Sequence, residues 1–384
     1  MQRDPLRALT LAALVTIASA APAQAQLTAN MGNGWTLTFS GNINAHLIYL
    51  KADDNGDLVG NPSGIVPAAV EGFEIRTGMV PAMATFAIKG NDDGRPLGAT
   101  VTFAPQIQCG GGSTNCAGPQ IDTRQAFVTI GGVKGGTLLV GRDLGLFGRQ
   151  NLLNDMTMWG TGFVDFQGTG TTLGRFGTGY NYPNYNSQFT WMNSGANGSQ
   201  FSIGVFQPDA VAGGATKLPR VEAEWNKTSG NTGFWISGIW QTQDVGGTGF
   251  TSTGAAGGVK WGKGKESLVG AGFFGSGIGT TINFSGDAVG AGGDARSSWG
   301  AYGQWMHTMN TRTTLGLSLG QNVLNGVNAD PDVIITNRSF IAGLYNKYGR
   351  HLRSDLELTY ATSEDDASGN NSQWNLSGGI MLIW

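Results

Sequence analysis

The chain has 384 residues, 40% of them apolar and 13% charged, with a formal charge of −3. There is no basic excess of the kind that follows a nucleic-acid backbone, and no nucleic-acid partner is expected. Beyond the first 25 residues no stretch nears the 18 consecutive apolar residues of a spanning helix. Glycine is abundant, at 64 residues, but has no three-residue period, which excludes collagen; 11 Trp, 18 Phe and 8 Tyr argue against disorder.

Residues 1–25 read as a secretory signal peptide. Arg3 and Arg7 supply a positive start, 8–18 are apolar, and Ala23-Gln24-Ala25 is a small-x-small cleavage site. The apolar run is too short for a membrane anchor. The expected mature domain is 26–384; cleavage removes Arg3, Arg7 and Asp4, taking the formal charge from −3 to −4. Cys109 and Cys116 lie in a Gly/Ser/Asn-rich segment, where export permits a small-loop disulfide. With no histidine nearby in sequence, neither a metal site nor a cofactor is expected.

From about Thr36 onward, alternating segments are separated by breaks that run short, long, short, long. Closed antiparallel strands in a bilayer have that rhythm, with tight turns on one rim and large loops on the other. The clearest strands are amphipathic with period two. Phe39, Gly41, Ile43, Ala45, Leu47 and Tyr49 oppose Thr38, Ser40, Asn42, Asn44 and His46. Val221, Ala223 and Trp225 oppose Arg220, Glu222 and Glu224. Leu352, Leu356 and Leu358 oppose Arg353, Asp355, Glu357 and Thr359. Trp374, Leu376, Ile380 and Leu382 oppose Gln373, Asn375 and Ser377.

Sixteen strands are predicted: 36–50, 72–90, 97–106, 120–131, 136–142, 175–192, 199–207, 219–227, 232–242, 255–262, 267–275, 297–309, 312–320, 336–347, 351–361 and 372–384. The even count lets the last strand pair with the first and leaves no open edge in lipid. The apolar face switches from odd to even numbers across Pro81, which predicts a bulge inside 72–90. Long connections are expected at 51–71, 107–119, 143–174, 208–218, 243–254, 276–296, 321–335 and 362–371. A soluble sandwich alternates too. The asymmetry of the loops and aromatics at strand ends (Trp35, Tyr49, Trp225, Trp261, Tyr348, Trp384) favour an all-β transmembrane barrel in contact with outer-membrane lipid.

Arg124-Gln-Ala-Phe-Val-Thr-Ile, a Gly-rich turn and Gly136-Thr-Leu-Leu-Val-Gly-Arg142 resemble the signature strand pair of Gram-negative general porins. The long 143–174 connection stands where their constriction loop does, and Tyr182-Pro-Asn-Tyr-Asn186 is similar to the strand that leaves it. Residues 88–103 resemble the first tight turn of these proteins, and Trp384 stands at their terminal aromatic. The resemblance implies a 16-stranded barrel with an inward-folded third loop, usually a homotrimer, passing small polar solutes and ions passively across the cell outer membrane. It departs from the family in one respect: the long loop has no Pro-Glu-Phe-Gly-Gly motif, which leaves ion preference open.

A diffusion pore needs a water-filled lumen, a narrowing and charges rather than catalytic residues. Asp155 and Asp165 would supply the negative side of a pore constriction. Arg124 and Arg175, on strands flanking the loop, would face them, with Arg142 and Arg76 as further candidates; simple parity at Arg124 requires a bulge or a packed region. Trp159, Phe163 and Phe166 would either stack sugars or pin the loop. Enzyme motifs fail. Gly257 to Lys263 imitates a phosphate loop, but Gly264 occupies the Ser/Thr position; no Gly-x-Ser-x-Gly occurs; His46, His307 and His351 lack ligand spacing. The rival readings are a channel selective for a sugar or small organic anion and, from another class, a secreted β-rich surface protein or adhesin.

Overall fold

The computed structural model describes residues 27–54, 70–77, 83–105, 121–162, 174–175, 177–195, 197–211, 214–284, 288–290, 292–327, 334–365 and 369–384. The signal peptide, Asp165, and Cys109 with Cys116 lie outside them.

Sixteen antiparallel barrel strands occur among the described residues: β1 (Trp35–Asp54), β2 in two pieces (Val70–Thr77 and Met83–Asp92), β3 (Arg95–Pro105), β4 (Ile121–Val133), β5 (Gly136–Leu144), β6 (Tyr185–Ser194), β7 (Ser199–Phe206), β8 (Arg220–Ser229), β9 (Thr232–Val245), β10 (Thr248–Lys263), β11 (Glu266–Ser276), β12 (Ser297–Thr308), β13 (Thr313–Leu324), β14 (Ile335–Tyr348), β15 (Leu352–Asp365) and β16 (Gly369–Ile383). Each pairs with the next in sequence. β16 then pairs with β1, from Asn371 opposite Asp54 to Ile383 opposite Asn42. Trp384 extends the seam by exchanging backbone bonds with Gly41, at 2.8 and 2.9 Å. Closure satisfies the backbone of both end strands, which an open sheet in hydrocarbon could not do.

The turns explain the register. Asn33-Gly34, Asp93-Gly94 and Lys134-Gly135 all have positive φ at both positions. This is the two-residue type I′ hairpin, whose twist matches that of its strands. Gly246-Gly247 does the same between β9 and β10, so the long 243–254 loop expected from sequence is a tight turn and both strands are longer than predicted. Leu27–Gly32 also forms a strand, which the sequence reading missed. It pairs with the start of β1 from Leu27 opposite Phe39 to Gly32 opposite Trp35, continuing the line of β16.

The break near Pro81 is now explicit. On β1 the ladder steps from Ala45 to Asn42 while its partners step from Thr77 to Met83. The numbering advances by three on β1 and by six on its partner. The odd excess of three reverses facing, as the parity switch in the sequence required.

Facing is inverted relative to a soluble protein. On β15, Leu356 and Leu358 are 49% and 40% exposed, whereas Glu357 and Thr359, which alternate with them, are each 1% exposed. β16 repeats this: Trp374, Leu376, Ile380 and Leu382 point out, and Gln373, Asn375 and Ser377 are buried. An apolar belt this extensive around a polar interior requires hydrocarbon outside. Placing a charge in the belt tests this: Leu356→Arg should destabilise the barrel by about 2–4 kcal/mol near the bilayer midplane. The check is the urea midpoint of folding into phospholipid vesicles. A midpoint equal to that of the parent would mean that Leu356 does not contact lipid.

Candidate functional site: the lumen and the segment that crosses it

Between β5 and β6 the chain makes one helical turn, α1 (Arg149–Leu153), and a 3₁₀ turn (Met156–Trp159). Asp155 caps the latter, accepting bonds from the Thr157 amide at 3.0 Å and Oγ1 at 2.6 Å. The predicted strand 175–192 begins only at Tyr185. Gly174, Gly177 and Asn184 adopt positive φ and Pro183 precedes Asn184, so the run cannot continue as a ladder. Arg175 therefore belongs to the connecting segment and not to a strand.

The described parts of this segment are bonded to side chains and carbonyls on seven strands, β8, β9 and β11 to β15. Glu222 on β8 accepts the Leu146 and Phe147 amides at 2.6 and 2.9 Å. Glu224, two residues on, binds Arg149 through two contacts of 2.6 and 3.3 Å. Ser237 and Trp235 on β9 hold Gly148 and Asn151. The β11 carbonyl of Gly272 accepts from Asn151 at 3.0 Å. On β12, Tyr302 donates to the Asn151 carbonyl at 2.7 Å and Gln304 accepts the Met156 amide at 2.7 Å. Asn322 on β13 and Ser339 on β14 meet Tyr180 and Arg175. Glu357 on β15 accepts from the Thr161 amide at 2.8 Å, the Thr161 hydroxyl at 2.9 Å and the Gly162 amide at 2.6 Å. Charged acceptors hold backbone amides more strongly than neutral ones.

A second connection, between β11 and β12, packs against the first. Tyr182 donates its amide to the Thr281 carbonyl at 2.6 Å. Asn181 donates to the carbonyls of Ile278 and Gly279, each at 3.1 Å. Ile278, Phe284 and Ala288 bury with Phe147, Ile239 and Phe273; Tyr180, Tyr182 and Tyr302 bury with Leu152 and Trp235. Two small apolar cores thus sit among otherwise polar inward-facing side chains.

The candidates read from sequence fall in different places. Arg124 is the extra residue of a bulge, where Thr102 pairs with Gln125 and Phe103 with Thr123. Arg124 and Gln125 are therefore both buried, which answers the parity problem. Arg124 Nε lies 3.9 Å from Asp122, and Arg142 lies 3.7 Å from the same carboxylate. Asp155 and Arg175 do not face each other across a gap. They share one segment and are joined through Tyr180, whose hydroxyl donates to Asp155 at 2.9 Å and accepts the Arg175 amide at 3.1 Å. Burial lowers the Arg175 guanidinium from its ordinary value, with Asp155 opposing the shift. Arg76 stands opposite His46 in the ladder. His46 is buried and 3.0 Å from Asp355. Trp159 lies under the Arg353 guanidinium at 4.9 Å, while Phe163 and Phe166 lie outside the described residues.

The sequence reading did not single out Glu222, Glu224 or Glu357 as site residues. Their alternation with apolar neighbours was the available signal, and it gave only their facing.

A closed antiparallel barrel of sixteen strands, apolar outside and polar within, is the architecture of outer-membrane porins. No family model and no curated protein matches the chain. Among solved structures it is similar to the outer-membrane channel DcaP of Acinetobacter baumannii, at 10% identity and TM-score 0.71 over 93% of this chain and 100% of that one. It is similar to an anion-selective porin from Comamonas acidovorans, at 12% identity and TM-score 0.62, covering 91% and 100%. It also matches OmpT of Vibrio cholerae in its trimer form, at 14% identity and TM-score 0.58, covering 92% and 100%. The shared fold is what these likenesses establish.

Proposed function

We propose that this chain is an outer-membrane porin of a Gram-negative bacterium, a water-filled channel for passive diffusion of small hydrophilic solutes and ions. The observation that carries the proposal is the closed barrel with its apolar exterior and its lumen lined by Asn, Gln, Ser, Thr and charged side chains. Such a lumen solvates polar solutes and penalises apolar ones. The segment between β5 and β6 forms the narrowing. Arg124, Arg142, Arg175 and Arg76 with Asp155 and Asp165 set the field in it. The chain acts without catalysis, is exported by a cleaved signal and assembles as a homotrimer. The V. cholerae protein of the same fold, solved in a trimer form, supports that last point.

Purified protein added to a planar bilayer should give stepwise conductance, and liposomes containing it should swell in small sugars. Protein that stays monodisperse without detergent and conducts nothing would instead support the secreted surface-protein reading. Selectivity has its own test. Neutralising Arg124 and Arg175 together, as R124Q/R175Q, should move the reversal potential in a salt gradient towards cations. An unchanged potential removes both residues from the narrowing.

A further inference from the structure

On the short-turn side of the segment, three cations border one cavity. Lys260 on β10, Lys347 on β14 and Arg353 on β15 line it together with Trp159, Tyr345 and Gln304. Alternation points all three inward. Lys260 shares a face with buried Ser252 and Ala256, Lys347 with Ser339 and Ile341, and Arg353 with Asp355 and Glu357. Lys347 and Arg353 are direct cross-strand partners, an arrangement that places like charges side by side and is destabilising by itself. Among the described residues no carboxylate lies within ion-pair distance of any of the three. Asp155 also lines the cavity, but its oxygens already bind Thr157 and Tyr180. Arg353 rests on the Trp159 ring, which orients its head without neutralising it.

Uncompensated cations that converge on a walled cavity are completed by an anion. The walls also offer apolar area, from Trp159, Met306 and the Tyr345 ring. We propose that Lys260, Lys347 and Arg353 form a subsite for small organic carboxylates, the acid group taken by the cations and the carbon body lying along Trp159 and Met306. The inference deepens the pore reading and rests on it. The subsite holds a permeating anion briefly at the short-turn mouth, which makes flux saturable for carboxylates.

Benzoate is the probe, with inorganic phosphate as comparison. Bilayer currents in potassium chloride should fall saturably as benzoate rises, and isothermal titration of the detergent-solubilised protein should show saturable heat. The double variant K347Q/R353Q should raise the half-saturating benzoate concentration tenfold or more in both measurements. K260Q, which keeps the cross-strand pair, serves if the double variant lacks the folded, heat-modifiable gel band, and should raise it severalfold. Open channels with no saturation, or with equal saturation in parent and variant, overturn the subsite and leave the pore intact. Phosphate binding as tightly as benzoate overturns the carboxylate assignment. If the protein opens no channels, the pore reading fails, and the titration alone then decides whether the three cations bind carboxylate.

Discussion

Replacing Glu357 by Ala should both widen the conducting path and weaken the fold. This carboxylate accepts from the Thr161 amide and hydroxyl and from the Gly162 amide, and its other oxygen meets the Tyr345 hydroxyl. It packs so closely on Gly160 that a Cβ there would sit 2.1 Å from an Oε1 atom. Alanine removes the acceptor and leaves two buried backbone amides unsatisfied. Each bond to a charged group contributes about 1.5–3 kcal/mol, so a loss of roughly 3–5 kcal/mol is expected even after water re-enters. With that tether cut, the described residues of the segment keep on β15 only the Thr359 hydroxyl on the Gly162 carbonyl and the Arg353–Trp159 contact, so single-channel conductance should rise and open-channel noise should increase. Glu357→Gln retains one acceptor and should fall between the two. If E357A channels matched the parent in conductance and noise, the segment could not be the narrowing.

The second large effect is expected at Arg149. Its guanidinium forks onto Glu224, and both side chains are buried. Removing one partner of such a pair strands the other charge, at a cost of about 3–5 kcal/mol. Arg149→Leu should therefore lower the unfolding temperature sharply, as read by loss of the compact gel band on heating. The double variant R149L/E224L should regain most of the loss, because no lone carboxylate remains. A double variant as unstable as the single one would mean that packing of α1, and not the charge pair, carries the effect. The two experiments address different ends of one segment: Glu224 holds its start and Glu357 its far side.

The barrel was legible because lipid imposes a rule on every second residue. β1, β8, β15 and β16 each state it in a handful of positions, and the number of strands follows from turns rich in Gly and Asn. The errors have physical causes. The β9–β10 turn looked long because Gly, Thr and Ser make both a loop and a glycine-tolerant strand; only the positive φ of Gly246 and Gly247 distinguishes them. The 175–184 stretch alternates like a strand but is broken by Gly174, Gly177 and Pro183-Asn184. The interior was less legible. That Glu222 and Glu357 face inward could be read from period two. Their partners could not, because the amides they hold lie 76 and 196 residues away in sequence. Asp155 and Arg175 were expected to oppose each other because loop and strand were assigned separately; the chain in fact folds them together around Tyr180. Lys260, Lys347 and Arg353 come from three strands, and sequence offers no sign that one cavity collects them.

The Gly246-Gly247 turn also gives the molecule a profile. β9 and β10 run for 14 and 16 residues, roughly 45–55 Å of extended chain. Even leaning at about 40°, this hairpin clears an apolar band of about 25 Å. Its tip is braced by the Gly247 amide on the Asp244 carboxylate at 3.0 Å. It stands clear of the bilayer on the rim of the large connections, paired near its tip with Gly214-Ala215 and seated by Val245 and Phe250 on the core around Ile278. A peptide epitope spliced between those two glycines would be displayed on that rim, and antibody reaching it on intact cells would reveal which rim meets the outside world.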